Sequence, residues 1–348
     1  MIDWNLASQI ARFVAGKPET KPLGARLAEA SEESERLVTS YTRMSPSDPL
    51  PRAEAVDRPE WLQANLDSMQ GLLDPVTTRL SDRLGPLRQP LETAAGYLLA
   101  AEIGVVVGFL SQRVLGQYEV MLLDPDAKAR LLFVEPNIAD ASKTMGAKVD
   151  ADDFLRWVAL HETTHAVQFG SVPWLRPHLA GLVNELSESL TVSVDPSKLM
   201  RLPSSDDLRA LVEAVRQGDL IGFATTPEQR ELLDRVQATM AVIEGHAEHV
   251  MDAVGREVIP TLDELRDAME RRRDGQPALG RLIARLIGLE MKLQQYRLGK
   301  SFCDGVVERG GIEALNLVWR DPESLPTLAE LENPGGWLRR VSQQPAAA

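Results

Sequence analysis

The stretch Asp152–Phe169, DDFLRWVALHETTHAVQF, constrains this chain more than any other. Phe154, Leu155, Trp157, Val158, Leu160, Val167 and Phe169 recur with the spacing of a helix that buries a broad face. Inside it lies His161-Glu162-Thr163-Thr164-His165, an HExxH pattern that uses two of only five histidines in the chain. Residues four apart on a helix stand one above the other. His161 and His165 therefore leave the same stripe and can grip one metal ion. Glu162 sits about 100° round the helix, where its carboxylate can take a proton from water without taking a ligand position. Two neutral imidazoles and such a carboxylate are what a zinc-dependent hydrolase requires. Two solvated histidines on a surface helix would give the same letters, but the apolar flanks argue for burial.

Composition sets broad limits. The chain has 348 residues, 44% of them hydrophobic, enough for a sizeable core. A net charge of −13 argues against a nucleic-acid partner, which would call for a basic footprint. The single cysteine, Cys303, excludes an internal disulfide and fits a reducing, cytoplasmic setting; its expected role is that of a small buried apolar residue. The N-terminus, MIDWNLASQIARFVAG, has no basic leader of the signal-peptide kind. The longest apolar run, residues 94–110, is short for a membrane span and contains Glu102, so it reads as a buried core helix in which Gly104 and Gly108 allow close helix contact. No membrane partner is expected.

Periodicity predicts a mainly α chain with a small β-sheet beside the HExxH helix. Helices are expected at residues 3–15, 23–44, 59–83 (with a possible kink at Pro75) and 90–113, with a Pro-rich connector at 45–59. Residues 118–124 and 130–135 read as two strands, stopped by Pro136 and Asn137. A loop with terminal aspartates then caps the motif helix. Further helices are expected at 178–193, 205–217, 227–254, 261–273, 278–297, 300–310 and 311–318. As domains, residues 1–89 form an N-terminal helical region packed on the core, 90–340 form the metal-binding domain, and 341–348 form a disordered tail.

A catalytic zinc normally takes three protein ligands. The remaining histidines are His178, His246 and His249. The best spacing belongs to Met240–Asp252, MAVIEGHAEHVMD, where Glu244 and Glu248 share one helical stripe that borders apolar neighbours. Glu244 is the expected third ligand, with His246 and His249 as alternatives. Glu248 is expected behind it, taking the free ring N–H of a ligand histidine. Gly245 would permit close packing near the ligand. Candidates to stabilise a developing oxyanion are His178, Tyr296 and Arg297, although a Tyr and an Arg that simply bridge helices would look the same.

The stretches GFLSQRVLGQYEV, FVEPNI, HETTHAVQF with PWLRPHL, EGHAEHVMD, MKLQQYRLG and VVERGGIEALNLVW with PESLPT together resemble a family of zincin-like hydrolases or metalloproteases. Its name links it to biosynthesis of a deazaflavin coenzyme. The resemblance spans roughly residues 90–340. It implies a mostly helical zincin-like fold, one zinc at His161 and His165, Glu162 as catalytic base, and support for Glu244, which lies in the EGHAE-type segment. The residues after His165, Ala-Val-Gln-Phe-Gly, lack the extension that supplies a nearby third histidine, and the acid four residues after Glu244 is Glu248 where thermolysin-like enzymes carry an Asp. The expected function is hydrolysis of a peptide or amide bond, with a peptide or small amide as substrate. The alternatives are a catalytically inactive scaffold that binds a partner protein, or an enzyme that uses iron or manganese at the same ligands.

Overall fold

A computed structural model describes residues 1–17, 22–84, 89–124, 126–146, 148–193, 226–274 and 289–343. It is mainly helical with one small sheet. Helices α1 (Trp4–Ala15) and α2 (Gly24–Thr42) come first, then strand β1 (Ala53–Val56). Next are α3 (Arg58–Leu84), α4 (Gln89–Ser111), β2 (Gly116–Glu119), β3 (Arg130–Val134) and α5 (Glu135–Thr144). The motif helix α6 (Ala151–Ser171) and α7 (Leu175–Ser193) follow. Then come α8 (Pro227–Val258), α9 (Leu262–Asp274), α10 (Leu289–Asn316), two short 3-10 turns, α11 (Leu328–Leu331) and α12 (Pro334–Gln343). The expected helix at 205–217, most of that at 278–297, and the last five residues of the tail lie outside the described residues.

The sheet has the order β1-β3-β2, with β1 parallel and β2 antiparallel to β3. β3 is therefore central, and its side chains alternate with the period of a strand. Leu132 and Val134 join a core with Ala7, Ala11, Trp61, Leu62, Ile103 and Val107. Leu131 and Phe133 join a second core with Leu27, Ile138, Phe154 and Val158 of the motif helix. β1 falls within the stretch expected to be a Pro-rich connector. Its Ala-Glu-Ala-Val has weak strand preference, and pairing with β3 rather than local propensity makes it a strand. β2 starts at Gly116 and ends at Glu119, so most of the expected strand at 118–124 is not strand. Pro136 does stop β3, but as a first-turn residue of α5.

The apolar run in α4 packs on one face only: Ala100, Ile103 and Val107 are buried, whereas Tyr97, Leu98 and Val105 are exposed. A Cβ on Gly104 or Gly108 would fall 2.7 Å from the Ala7 carbonyl or 2.6 Å from the Ala11 carbonyl, so these glycines do let α1 lie against α4. Among the described residues no helix is long and apolar enough to cross a membrane.

α6 is capped by Asp150, which accepts hydrogen bonds from the Asp152 and Asp153 N–H groups. Asp153, also buried, accepts from the Thr261 hydroxyl at 2.7 Å and its N–H at 3.1 Å, tying the start of α6 to the α8–α9 turn. α8 opens with a complete capping box at Thr226 and Gln229 and runs past Gly255 to Val258. The expected break after residue 310 appears as Gly311 at φ 74°, inside what is otherwise one helix, α10. Cys303 is fully buried in the core.

α8 and α10 cross with their backbones in contact. A Cβ on Gly299 would land on the Ala241 carbonyl, and one on Gly245 would land on the Gly299 carbonyl. G299A should therefore lower stability by about 2 kcal/mol or more, read as a fall in Tm by calorimetry. G71A, on α3 where an added Cβ meets nothing within 4 Å, should leave Tm unchanged or raise it.

Candidate metal centre

Two helices bring the motif histidines and a distant carboxylate together. His161 and His165 leave α6 one turn apart, their rings edge to face with centroids 4.8 Å apart. Glu244 leaves α8, and its Oε2 lies 3.5 Å from His165 Nε2 and 4.0 Å from His161 Nε2. The three side chains offer ligand atoms all within 4.8 Å of one another. Ligands about 2.0–2.1 Å from a tetrahedral zinc stand about 3.3–3.4 Å apart, so the donor set and spacing fit such an ion. The distance from His161 to Glu244 is also too long for a hydrogen bond.

The other ring nitrogens are already engaged, which turns each Nε2 towards Glu244. His165 Nδ1 lies 2.8 Å from Gln168 Oε1, so it carries the proton and donates it there. The Gln168 amide then donates to the Ile243 carbonyl at 2.8 Å and reaches His246 Nδ1 at 2.9 Å. One fully buried glutamine thereby fixes the His165 tautomer and fastens α6 to α8. His161 Nδ1 rests 3.0 Å from Met251 Sδ, and Trp157 stacks on its ring from one turn earlier.

Glu162 points to the sheet side. Its Oε2 accepts a hydrogen bond of 3.1 Å from the Tyr118 N–H of β2. Leu115 O accepts from Val134 N, so by antiparallel alternation Gly116 and Tyr118 turn their peptide groups away from β3, towards α6. A Cβ on Gly116 would come 2.5 Å from Glu162 Cγ. The glycine is required because the Glu162 side chain lies over the strand at that point.

The electrostatics follow from burial. It pushes the Glu162 carboxyl up to about 7, with Glu244 adding to the rise and His165 and the Tyr118 N–H opposing it. Burial, with the charge of His165, pushes His161 down to about 4. Burial also opposes charge on His165, but the Glu244 carboxylate outweighs it and carries His165 up to about 9.

The other candidate residues are placed as follows. His246 is fully buried and pushed down to about 3 by burial, facing Gln168 and Trp319. His249 bonds to the Tyr41 hydroxyl at 2.8 Å and to Asp304 of α10 at 2.7 Å, not to acids of its own helix. Glu248 makes no hydrogen bond to either motif imidazole; Gln168 and Met251 occupy the ring atoms it was expected to reach. His178 stands edge-on to Trp174 on α7, within the field of Arg235 and Glu185. Arg297 lines a cavity of about 510 Å³ beside the cluster, together with Trp157, His161, Glu244, Glu248 and Lys300. The Tyr296 side chain lies outside the described residues. Gln168 could have been found from its position three residues after His165 on the same helix; the Tyr118 N–H leaves no trace in the letters.

A model of the zincin-like metallopeptidase family matches residues 2–338. A crystal structure from Chloroflexus aurantiacus, described as "a putative hydrolase with a novel fold", is 32% identical over 99% of this chain and 100% of that one, with a TM-score of 0.71. No curated protein is significantly similar to the chain. The family match spans almost the whole molecule and includes both helices that carry the His-His-Glu cluster, so the chain belongs to the zincin-like metallopeptidases.

Proposed function

We propose that the protein is a zinc-dependent hydrolase of peptide or amide bonds, with one zinc per chain held by His161, His165 and Glu244. The observation that carries this reading is the convergence of two Nε2 atoms and one Oε2 beside a buried carboxylate that is not part of the cluster. Zinc bound there supplies Lewis-acid polarisation of a carbonyl and makes water easier to deprotonate.

The chain's own residues do the rest. Glu162 accepts the proton of the attacking water and later returns it to the leaving amine. Burial disfavours charge on the Glu162 carboxyl, so it is disposed to take up a proton from water and can then hand it on. The Tyr118 N–H holds Glu162 in position throughout. Gln168 keeps the His165 proton on Nδ1 and the Nε2 lone pair free. The cavity beside the cluster is walled by side chains of α6, α8, α9 and α10. Among the described residues no strand lines it, and β3 has both edges paired. Substrate there is held by side chains rather than as an added strand, which favours short peptides or small amides.

Protein purified without chelator should contain about one zinc per chain by elemental analysis. A chain that takes up none after zinc addition overturns the proposal. E162Q should keep the zinc and lose hydrolysis by about 10²–10⁴-fold; full activity in that variant removes Glu162 from the mechanism. Q168A should weaken zinc binding by about 10–100-fold in chelator competition. G116A should leave zinc content unchanged and lower turnover, because the new methyl displaces Glu162 and not the ligands.

A further inference from the structure

Beside the cluster stands a second carboxylate, that of Glu248. Glu248 follows Glu244 on α8 by one turn, about 6 Å along the axis, and lines the same cavity. Among the described residues it has no hydrogen bond or ion pair. Arg266, Lys300 and, less strongly, His165 are close enough to be felt. Arg266 and Lys300 each pair with Asp252, and Lys300 also binds Asp304 at 2.6 Å. Asp304 is held in turn by His249. This chain of contacts keeps Arg266 and Lys300 on the cavity wall. Glu248 is left largely out of water, and its carboxyl is raised, first by desolvation and then by Glu244. A carboxylate partly removed from water gains from a charged donor, so a donor on the ligand would be favoured there.

We propose that Glu248 is a specificity residue that binds the free α-ammonium group of the substrate, making this site one for amino-terminal residues. The inference rests on the hydrolase reading above. Its geometry is as follows. A carbonyl under attack must lie beside Glu162 and the His-His-Glu cluster. In an amino-terminal residue the α-nitrogen is about 2.5 Å from that carbonyl carbon, two bonds away. An ammonium at that distance is within reach of a carboxylate one helical turn beyond Glu244. A lysine side-chain ammonium, four methylenes further out, would pass it. The rest of the lining suits a first side chain: Trp157 and Met269 offer apolar surface, and a volume of about 510 Å³ takes one or two residues.

The test uses binding to the zinc-loaded full chain. Leucine hydroxamate, with its free amine, is compared by calorimetry with N-acetyl-leucine hydroxamate. The free amine should bind at least about tenfold more tightly, the worth of a charged hydrogen bond. E248Q should abolish that preference while changing affinity for the acetylated probe less than about threefold, with zinc content intact. E248D, which keeps the charge on a shorter arm, should retain part of the preference, and it stands in should E248Q fail to fold. Equal binding of the two probes by zinc-loaded wild type, or a preference that survives in E248Q, overturns this inference and leaves the hydrolase reading standing. Failure of wild type to take up zinc overturns both.

Discussion

Everything at the candidate centre depends on α8 lying close enough to α6 for one glutamate to meet two imidazoles. Neither helix could arrange this alone. The turn spacing of α6 places His161 and His165 in line, but it says nothing about what faces them. Gln168 supplies part of the answer, since it is bonded to His165 on its own helix and to the Ile243 carbonyl on the other. The glycine crossing supplies the rest. Gly245, the residue after Glu244, touches Gly299 of α10, so the segment that carries the carboxylate is gripped from behind as it is pulled forward by the glutamine. A side chain at either glycine would push the two helices apart by part of an ångström, and ligand spacing tolerates little more than that.

The same closeness is electrostatically unfavourable until something positive enters. Glu162 and Glu244 are both largely removed from water and each raises the cost of charging the other. The Tyr118 N–H offsets part of this cost at Glu162, and the His165 ring, favoured in its charged form by Glu244, offsets part of it on the other side. Carboxylates kept this close and this far from water are tolerated where they serve a site more readily than where they serve stability.

Much of this was legible in the letters, for identifiable reasons. HExxH on an apolar-flanked helix specifies its own geometry because the contact is local: four residues always span one turn. Glu244 could be chosen because a helix stripe carrying two acids beside core residues is an unusual arrangement. The long helices followed from periodicity, and Gly311 broke α10 where a boundary was expected. The failures are equally physical. β1 is a strand only because β3 is next to it. Glu248 was expected to serve an imidazole, but a glutamine three residues from His165 and a methionine on α8 reach the rings first. Backbone groups, such as the Tyr118 N–H, carry no side-chain signature at all.

The placement of Glu162 has a further consequence for the way substrate must approach. β2 is the one strand whose outward peptide groups face the motif helix, and one of them, the Tyr118 N–H, is already spent on Glu162. Gly116 offers no side chain there because Glu162 Cγ occupies the space. A peptide added to this edge would compete for the hydrogen bond that orients Glu162. The helix-walled cavity on the His161 side makes no such demand, since among the described residues its lining contains none of the sheet. On the proposed reading the sheet holds the base and the helices hold its substrate. That division explains why a three-stranded sheet is enough for this fold: it needs to present one N–H and one glycine in register with α6, and the central β3, buried on both faces, locks that register in place.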